Sequence, residues 1–167
     1  MNISEKFGHL NPRREAKWFE WVDGVKLLIA PANNNAYGKY MVENMSQEAM
    51  ATLTTGLLAA DGAENEADAK VKAETAVTEK LTQSEGGLKA MFASLAALRA
   101  ACAHTILLGW EGIQDENEQG EVVDVPYTSE QALIYLNGYG QMFAFVQDKA
   151  NELAASRNSV LEDTQKK

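Results

Sequence analysis

Hydrophobic and polar residues alternate with a period of two in the first part of the chain. Two alternating runs occupy residues 16–30, and the pair Asp23-Gly24 separates them. On the first run, Phe19 and Trp21 share one face. An Asp-Gly pair between alternating runs is a strong sign of a tight turn, because both residues tolerate positive φ angles. We therefore predict a β-hairpin over residues 16–30.

The aromatic side chains of this hairpin have two interpretations. A two-stranded hairpin is only marginally stable alone, so its aromatic face is expected to pack against helices. Alternatively, Trp18, Phe19 and Trp21 form an exposed edge that binds a partner. The sequence leaves both interpretations open.

Apolar residues recur three and four positions apart through much of the remaining chain, which is the period of an amphipathic helix. Residues 35–60 show this pattern, but the sequence does not decide between one bent helix and two. Residues 61–85 are charged and rich in alanine, so they form either an exposed helix with little to bury or a semi-ordered connector, and this segment is expected to vary in length among relatives. The strongest pattern covers residues 88–107, with an apolar stripe of Leu88, Met91, Phe92, Leu95, Leu98, Cys102 and Ile106.

Two more helices are predicted towards the carboxyl terminus. Thr128 and Gln131 have the spacing of a capping box, and a longer helix over residues 139–156 should bury Met142, Phe143, Val146, Ala150 and Leu153. Residues 157–167 are polar and are predicted to form a flexible tail. The expected fold is mainly α, of the α+β class. It comprises an N-terminal β-hairpin followed by a bundle of about four to six helices, in a single domain over residues 1–156.

Composition and charge exclude several classes of partner. The chain has 167 residues, of which 46% are hydrophobic, enough for a domain with a core. Its formal net charge of −9 disfavours nucleic acid as a partner, since phosphate binding needs clustered Lys and Arg. Arg99 lies near the centre of the apolar residues 90–110, where a charge would cost about 2.5–3.5 kcal/mol in a bilayer. No membrane partner is therefore expected.

The acidic residues are concentrated in one stretch. Residues 1–40 contain six basic and four acidic residues, whereas residues 111–125 contain no basic residue and six acidic ones, Glu111, Asp115, Glu116, Glu118, Glu121 and Asp124. This stretch is either a solvated loop or a recognition loop for a basic segment of a partner. The single cysteine, Cys102, suits a reducing cytoplasm and is expected to be buried.

The sequence contains no pattern typical of a catalytic or metal site. Asp115 and Asn117 open a stretch like a calcium loop, but its twelfth position, which should be Glu, is Pro126. The two histidines, His9 and His104, have no cysteine cluster, so no zinc site is expected. His104 is assigned instead to the end of a helix. We expect no catalytic residues, no metal and no cofactor, and a protein that is not an enzyme.

A characteristic order of features runs from His104 to Leu133: a Trp-Gly turn, an acidic interruption and a Pro-Tyr-Thr step into a helix. The residues that carry it are Gly109, Trp110, Gly112, Ile113, Asp115, Glu116, Gly120, Val125, Pro126, Tyr127, Thr128, Glu130 and Ala132. This order resembles the tail assembly chaperones of long-tailed phages and prophages. Residues 104–155 match best, residues 18–37 also look like the start of such proteins, and residues 61–85 carry no signature.

The resemblance implies a non-structural protein of the host bacterial cytoplasm that is absent from the mature virion. Members of that family bind the tape measure protein and promote assembly of the tail tube protein around it. The resemblance leaves open a frameshift-extended form of the chain and a homo-oligomer. The alternative function is that of a structural tail tube or head–tail connector component.

Partner binding is expected to use a groove between the helix over residues 88–107 and the last two helices. The residues expected to contact a partner there or on the hairpin are Trp18, Phe19, Trp21, Leu108, Trp110, Ile113, Tyr127 and Phe143. For Trp110 and Tyr127, a role as core anchors of the turn is the alternative.

Overall fold

The computed structural model describes residues 12–61, 63, 65–83 and 87–165. In chain order its elements are α1 (Pro12–Glu15), β1 (Lys17–Val22), β2 (Val25–Ile29), α2 (Asn35–Asn44), α3 (Gln47–Ala60), α4 (Glu66–Gln83), α5 (Gly87–Thr105), β3 (Leu107–Glu111), β4 (Gln114–Glu116), β5 (Val122–Asp124), α6 (Ser129–Gly138) and α7 (Gly140–Gln165). A hairpin followed by helices makes up most of the described chain. The predicted mainly α, α+β class is confirmed.

The described residues divide into two compact units. Unit 1 contains those of Met1–Met41 and Arg99–Lys167, and unit 2 contains those of Val42–Leu98. The predicted domain over residues 1–156 therefore includes residues of both units, and its folding as a single domain stays a prediction. No helix in the described ranges is long and apolar enough to cross a membrane.

The predicted hairpin is part of a three-stranded antiparallel sheet in unit 1. The strand order is β1-β2-β3, so β2 lies in the middle. Its central position explains why Leu27 and Ile29 are fully buried. The turn lies at Asp23-Gly24 as predicted, but positive φ among the described residues is confined to glycines, and Gly24 has φ 77°. Asp23 does not share that conformation, and a bulge in β1 between Glu20 and Val22 precedes the turn.

Strand β3 corrects the prediction of a helix over residues 88–107. Helix α5 ends at Thr105, and residues 107–111 turn into the sheet. The main-chain nitrogen of Ala30 donates to the oxygen of Ile106 at 2.9 Å, which fixes the point where the chain leaves the helix. Pairing with β2 satisfies the backbone of an apolar run that would otherwise continue the helix.

Buried Asn34 joins the end of β2 to the neighbouring helices of unit 1. Its side-chain nitrogen donates to the main-chain oxygens of Pro31 at 2.7 Å and Thr105 at 3.2 Å. Its side-chain oxygen accepts from the nitrogen of Tyr37 at 2.9 Å, which caps the first turn of α2. A single amide thus satisfies donors and acceptors from three parts of the chain.

The last two helices follow the predicted pattern. Thr128 caps α6 by accepting from the main-chain nitrogen of Gln131 at 3.1 Å. Helix α7 buries the predicted stripe, with Met142, Phe143, Val146 and Ala150 buried and Leu153 half-buried. It continues to Gln165, beyond the predicted end at residue 156, so residues 157–165 are helical where a flexible tail was predicted.

In unit 2, α3 and α4 pack closely at a glycine. A Cβ built on Gly56 would lie 3.0 Å from Cγ2 of Val77, so any larger residue would crowd the contact. Helix α4 shows that most of the charged segment 61–85 is helical. Residues 35–60 form two helices, α2 and α3.

Phe92 was predicted to belong to the buried stripe of α5, and this prediction is wrong. Phe92 is 63% exposed, whereas Ser94 is buried. Residues two positions apart point to nearly opposite sides of a helix, so burial of Ser94 turns Phe92 outwards. Met91, Leu95 and Leu98 are half-buried and Cys102 is buried, as the stripe requires. The side chain of Leu88 lies outside the described residues.

Candidate functional site

Trp110, on β3, is the centre of an aromatic cluster in unit 1. Its ring meets those of Tyr127 and Tyr135 edge-on, with centroids 5.0 Å and 5.4 Å away. Its Nε1 donates to the main-chain oxygen of Val125 at 2.7 Å. The side chain is only 7% exposed. This environment is that of an anchor holding the segment before α6 against the sheet.

Tyr127 ties the same segment to the end of α5. Its hydroxyl lies 3.2 Å from the main-chain oxygen of Ala103 and also bonds to that of Leu107. Burial raises the pKa of Tyr127 from 10.0 to about 12, because the phenolate would lose its hydration. Tyr127 is therefore a neutral donor, and its single hydroxyl proton is shared between two main-chain oxygens from consecutive elements.

A close contact between two turns sets the direction of the chain after β3. Gly112 has φ 80°, and a Cβ built there would lie 2.1 Å from the main-chain oxygen of Gly24. The turn after β3 thus rests on the turn of the first hairpin, and the backbones meet without side chains between them. Immediately afterwards, the buried Ile113 accepts a hydrogen bond from the nitrogen of Val125 at 2.9 Å.

The acidic stretch forms a second hairpin instead of a loop. Strands β4 and β5 pair Gln114 with Asp124, Asp115 with Val123 and Glu116 with Val122, and all six residues are exposed. In the turn, the side-chain oxygen of Asn117 accepts from the nitrogens of Gln119 at 3.0 Å and Glu121 at 2.9 Å. Of the two residues that resemble the start of a calcium loop, Asp115 therefore lies in strand β4 and Asn117 closes the turn. Within the described ranges no group of three or more His, Cys, Asp and Glu side chains could hold a metal ion.

The eight residues predicted to contact a partner all lie in unit 1, but they do not form one exposed surface. Trp110, Ile113 and Phe143 are buried; Phe19, Trp21, Leu108 and Tyr127 are half-buried; Trp18 is exposed. The buried members are well placed as core anchors. Their role in binding stays a prediction.

Trp18 lies on the outer face of the three-stranded sheet. It pairs with Leu28 on β2, which in turn pairs with Gly109 on β3. A Cβ built on Gly109 would lie 3.7 Å from Cη2 of Trp18, so the indole extends across the strands over the glycine. Trp18 remains 47% exposed. Leu108 lies at the bulge that separates this row from the next.

Two tyrosines beside the second hairpin, Tyr135 on α6 and Tyr139 at the C-cap of α6, were not predicted as site residues. The rings of Tyr135 and Tyr139 are stacked with centroids 5.7 Å apart, and the hydroxyl of Tyr135 donates to Oδ2 of Asp115 at 3.4 Å. Burial raises the pKa of Tyr135, and the charge of Asp115 adds to that shift. The main-chain nitrogen of Tyr139 donates to the oxygen of Tyr135 at 2.8 Å, so the C-cap of α6 brings the two rings together. The sequence contains no such signal, because residue 139 was assigned to the start of the next helix.

His104 lies in the last turn of α5, where it was predicted. Its ring stacks on that of Tyr40, with centroids 5.1 Å apart. Its position in the last turn of a helix and its stacking on Tyr40 assign His104 a structural role at the helix end.

Comparison with known proteins places the chain in a family. Neither the curated proteins nor the solved structures contain a significant match. The family model described as YdaY prophage protein matches residues 41–167, which is more than half of the chain. The match supports a prophage-related protein. The chain therefore belongs to the YdaY prophage protein family.

Proposed function

We propose that this prophage protein is a tail assembly chaperone that acts by binding, without catalysis. It binds the tape measure protein in the cytoplasm of the bacterial host, promotes assembly of the tail tube protein around it, and is absent from the mature virion. The observation that carries the proposal is the range of the family match. Residues 41–167 include the whole stretch from His104 to Leu133 on which the resemblance to tail assembly chaperones rests.

Exposed apolar side chains in unit 2 are consistent with this proposal. Large apolar residues lie exposed on each of its helical segments, namely Val42, Leu58, Val71 and Phe92. Single exposed apolar residues are common on soluble proteins, so their number alone carries little weight. They are nevertheless the groups that could cover the apolar stripe of a long helical partner. The net charge of −9 would keep such a complex soluble through mutual repulsion.

The proposal is tested by co-expression with the tape measure protein encoded by the same prophage. The wild-type chain should increase the soluble fraction of the tape measure protein and co-purify with it. The double variant Leu58→Ser, Phe92→Ser should reduce co-purification while the melting temperature changes little, because exposed residues contribute about 0.5 kcal/mol or less to stability. Val22→Ser, an exposed change in unit 1, is the matched control and should leave co-purification unchanged.

Two results would contradict the proposal. One is unchanged solubility and recovery of the tape measure protein whether or not the chain is co-expressed. The other is detection of the chain in stoichiometric amount in purified particles, which would support a structural tail tube or head–tail connector component.

Trp110→Ala is a poor test of partner binding. The side chain is buried and hydrogen-bonded to Val125, so its removal should cost about 3–5 kcal/mol of stability. Any loss of co-purification would then accompany unfolding.

A further inference from the structure

One face of the second hairpin adjoins Tyr135 of α6, on which Tyr139 at the C-cap of α6 is stacked. Asp115 and Val123 are directly opposite in the β4–β5 ladder, so their side chains share a face. The hydroxyl of Tyr135 donates to the carboxylate of Asp115 at 3.4 Å, which shows that this face is the one beside α6. Tyr139 stacks on Tyr135. We call these four residues the tyrosine–hairpin surface.

The tyrosine–hairpin surface presents aromatic, aliphatic and anionic groups to solvent side by side. Val123 is 41% exposed and Tyr139 is 56% exposed, and Asp115 is also exposed. The surface is held from behind, since Trp110 meets the ring of Tyr135 edge-on. A surface that is ordered before binding loses less entropy when a partner docks.

The charge around the surface indicates what it binds. Residues 111–125 contain six acidic and no basic residues, so the local field attracts cations. Exposed tyrosine rings bind Lys and Arg through cation–π attraction, and a carboxylate forms a charge-assisted hydrogen bond with the same groups. The aliphatic stems of Lys and Arg can lie along Val123 and the rings.

We propose that the tyrosine–hairpin surface docks a basic peptide segment of a partner protein, in which Lys or Arg residues are interleaved with apolar ones. This inference goes beyond the tail assembly role. It concerns unit 1, whereas the experiment designed for the chaperone proposal changes exposed residues of unit 2. The two can therefore fail separately.

Binding of a fluorescently labelled synthetic peptide of repeated Lys-Leu-Lys units to the full chain tests the proposal. Peptides of repeated Glu-Leu-Glu and Ser-Leu-Ser units are the controls for charge and for the apolar residues. The Lys-containing peptide should bind at least about tenfold more tightly than either control at low salt. Its affinity should fall as the salt concentration rises, because the ions screen the acidic surface.

Matched variants separate the surface from general negative charge. Asp115→Asn and Glu118→Gln each remove one negative charge from the second hairpin, but only Asp115 belongs to the surface. Ile134→Ala removes an exposed side chain from α6, and Tyr139→Ala removes one from the C-cap of the same helix. We expect Asp115→Asn and Tyr139→Ala to weaken peptide binding by about fivefold each, and the other two variants by less than about twofold. Melting temperatures show whether each variant remains folded.

Three outcomes would overturn the proposal. The first is equal binding of the Lys-containing and control peptides. The second is an equal loss with Asp115→Asn and Glu118→Gln, which would mean attraction by net charge alone. The third is a concentration-dependent dimer in analytical ultracentrifugation that Asp115→Asn dissociates and the peptide displaces, which would make a second copy of the chain the occupant.

Discussion

Replacing Gly112 by alanine should destabilise unit 1 far more than the same change at the other glycines with positive φ. Gly24, Gly112 and Gly120 have nearly equal φ angles of 77°, 80° and 78°. Their surroundings differ. A Cβ on Gly112 would lie 2.1 Å from the main-chain oxygen of Gly24, a Cβ on Gly120 would meet only the end of a glutamate side chain at 3.3 Å, and a Cβ on Gly24 would meet nothing within 4 Å.

The expected magnitudes follow from two separate terms. A left-handed conformation costs a non-glycine residue about 1–2 kcal/mol, and the smaller entropy of the unfolded alanine chain offsets about 0.4–1 kcal/mol of it. Gly24→Ala and Gly120→Ala should therefore cost about 1 kcal/mol each. At Gly112, an ordinary contact begins near 3.4 Å, so two stretches of backbone must also separate by more than 1 Å. Such overpacking adds about 1–3 kcal/mol, giving a total of about 2–4 kcal/mol.

Urea unfolding followed by tryptophan fluorescence measures these differences in unit 1. The chain has three tryptophans, Trp18, Trp21 and Trp110, and all lie in that unit. The midpoint should fall most for Gly112→Ala. The slope of the unfolding free energy against urea concentration should be the same in all variants if only their stability differs.

Equal losses of unfolding free energy in the three alanine variants would refute the reasoning, because the cost of positive φ alone would then explain the whole effect at Gly112. A loss at Gly112 below about 1 kcal/mol would mean that the two turns separate freely and do not direct the second hairpin.

Three further outcomes follow from buried groups in unit 1. Tyr127→Phe should lose about 1–3 kcal/mol in urea unfolding, because the main-chain oxygens of Ala103 and Leu107 lose the hydroxyl proton that they share. Tyr139→Phe at an exposed ring should change stability by less than about 0.5 kcal/mol. Burial raises the pKa of Tyr127 from 10.0 and that of Cys102 from 9.0, each to about 12, so the unfolded chain releases both protons first. Stability should therefore be fully present below about pH 9 and fall as the pH rises towards 12, and a midpoint in urea that is constant over that range would contradict this. Cys102 is almost fully buried, so it should react with a thiol reagent such as Ellman's reagent far more slowly in the native protein than in guanidinium; equal rates would show that the thiol is accessible.

The elements predicted correctly are those with local signals. Asp23-Gly24 placed the first turn, and Thr128 with Gln131 placed the start of α6, because a turn or a cap depends on a few consecutive residues. The stripe on α7 was also readable, since its spacing repeats over several turns. Even here, only Gly24 of the Asp23-Gly24 pair has positive φ.

Strand β3 was not predicted because its pairing is non-local. Leu107–Glu111 is a short apolar run directly after a helix, and such a run fits a strand or a buried helix end equally well. Pairing with β2 makes residues 107–111 a strand, and β2 (residues 25–29) precedes them by about eighty positions in the chain. The second hairpin was hidden for another reason: four of its six strand residues are Asp, Glu or Gln, which are uncommon in strands.

The residues that carry the resemblance to tail assembly chaperones have an explanation in this fold. Trp110 and Tyr127 fix the segment before α6, and Gly112 lets the chain turn against Gly24. Together they determine where the second hairpin lies. The groups left exposed beside it, such as Tyr139, are the ones that can meet a partner.

A variant search for partner binding should therefore start from exposed residues and not from the most recognisable ones. A change at Trp110 reaches any partner only by moving the hairpin, and it removes stability in the same step. Asp115→Asn leaves the Trp110 anchor in place and removes one charge from the exposed face. If binding depends on that face, the affinity and the stability of these two variants should change independently. If affinity and stability fall in proportion in both variants, then Asp115, like Trp110, affects binding only through the stability of the fold.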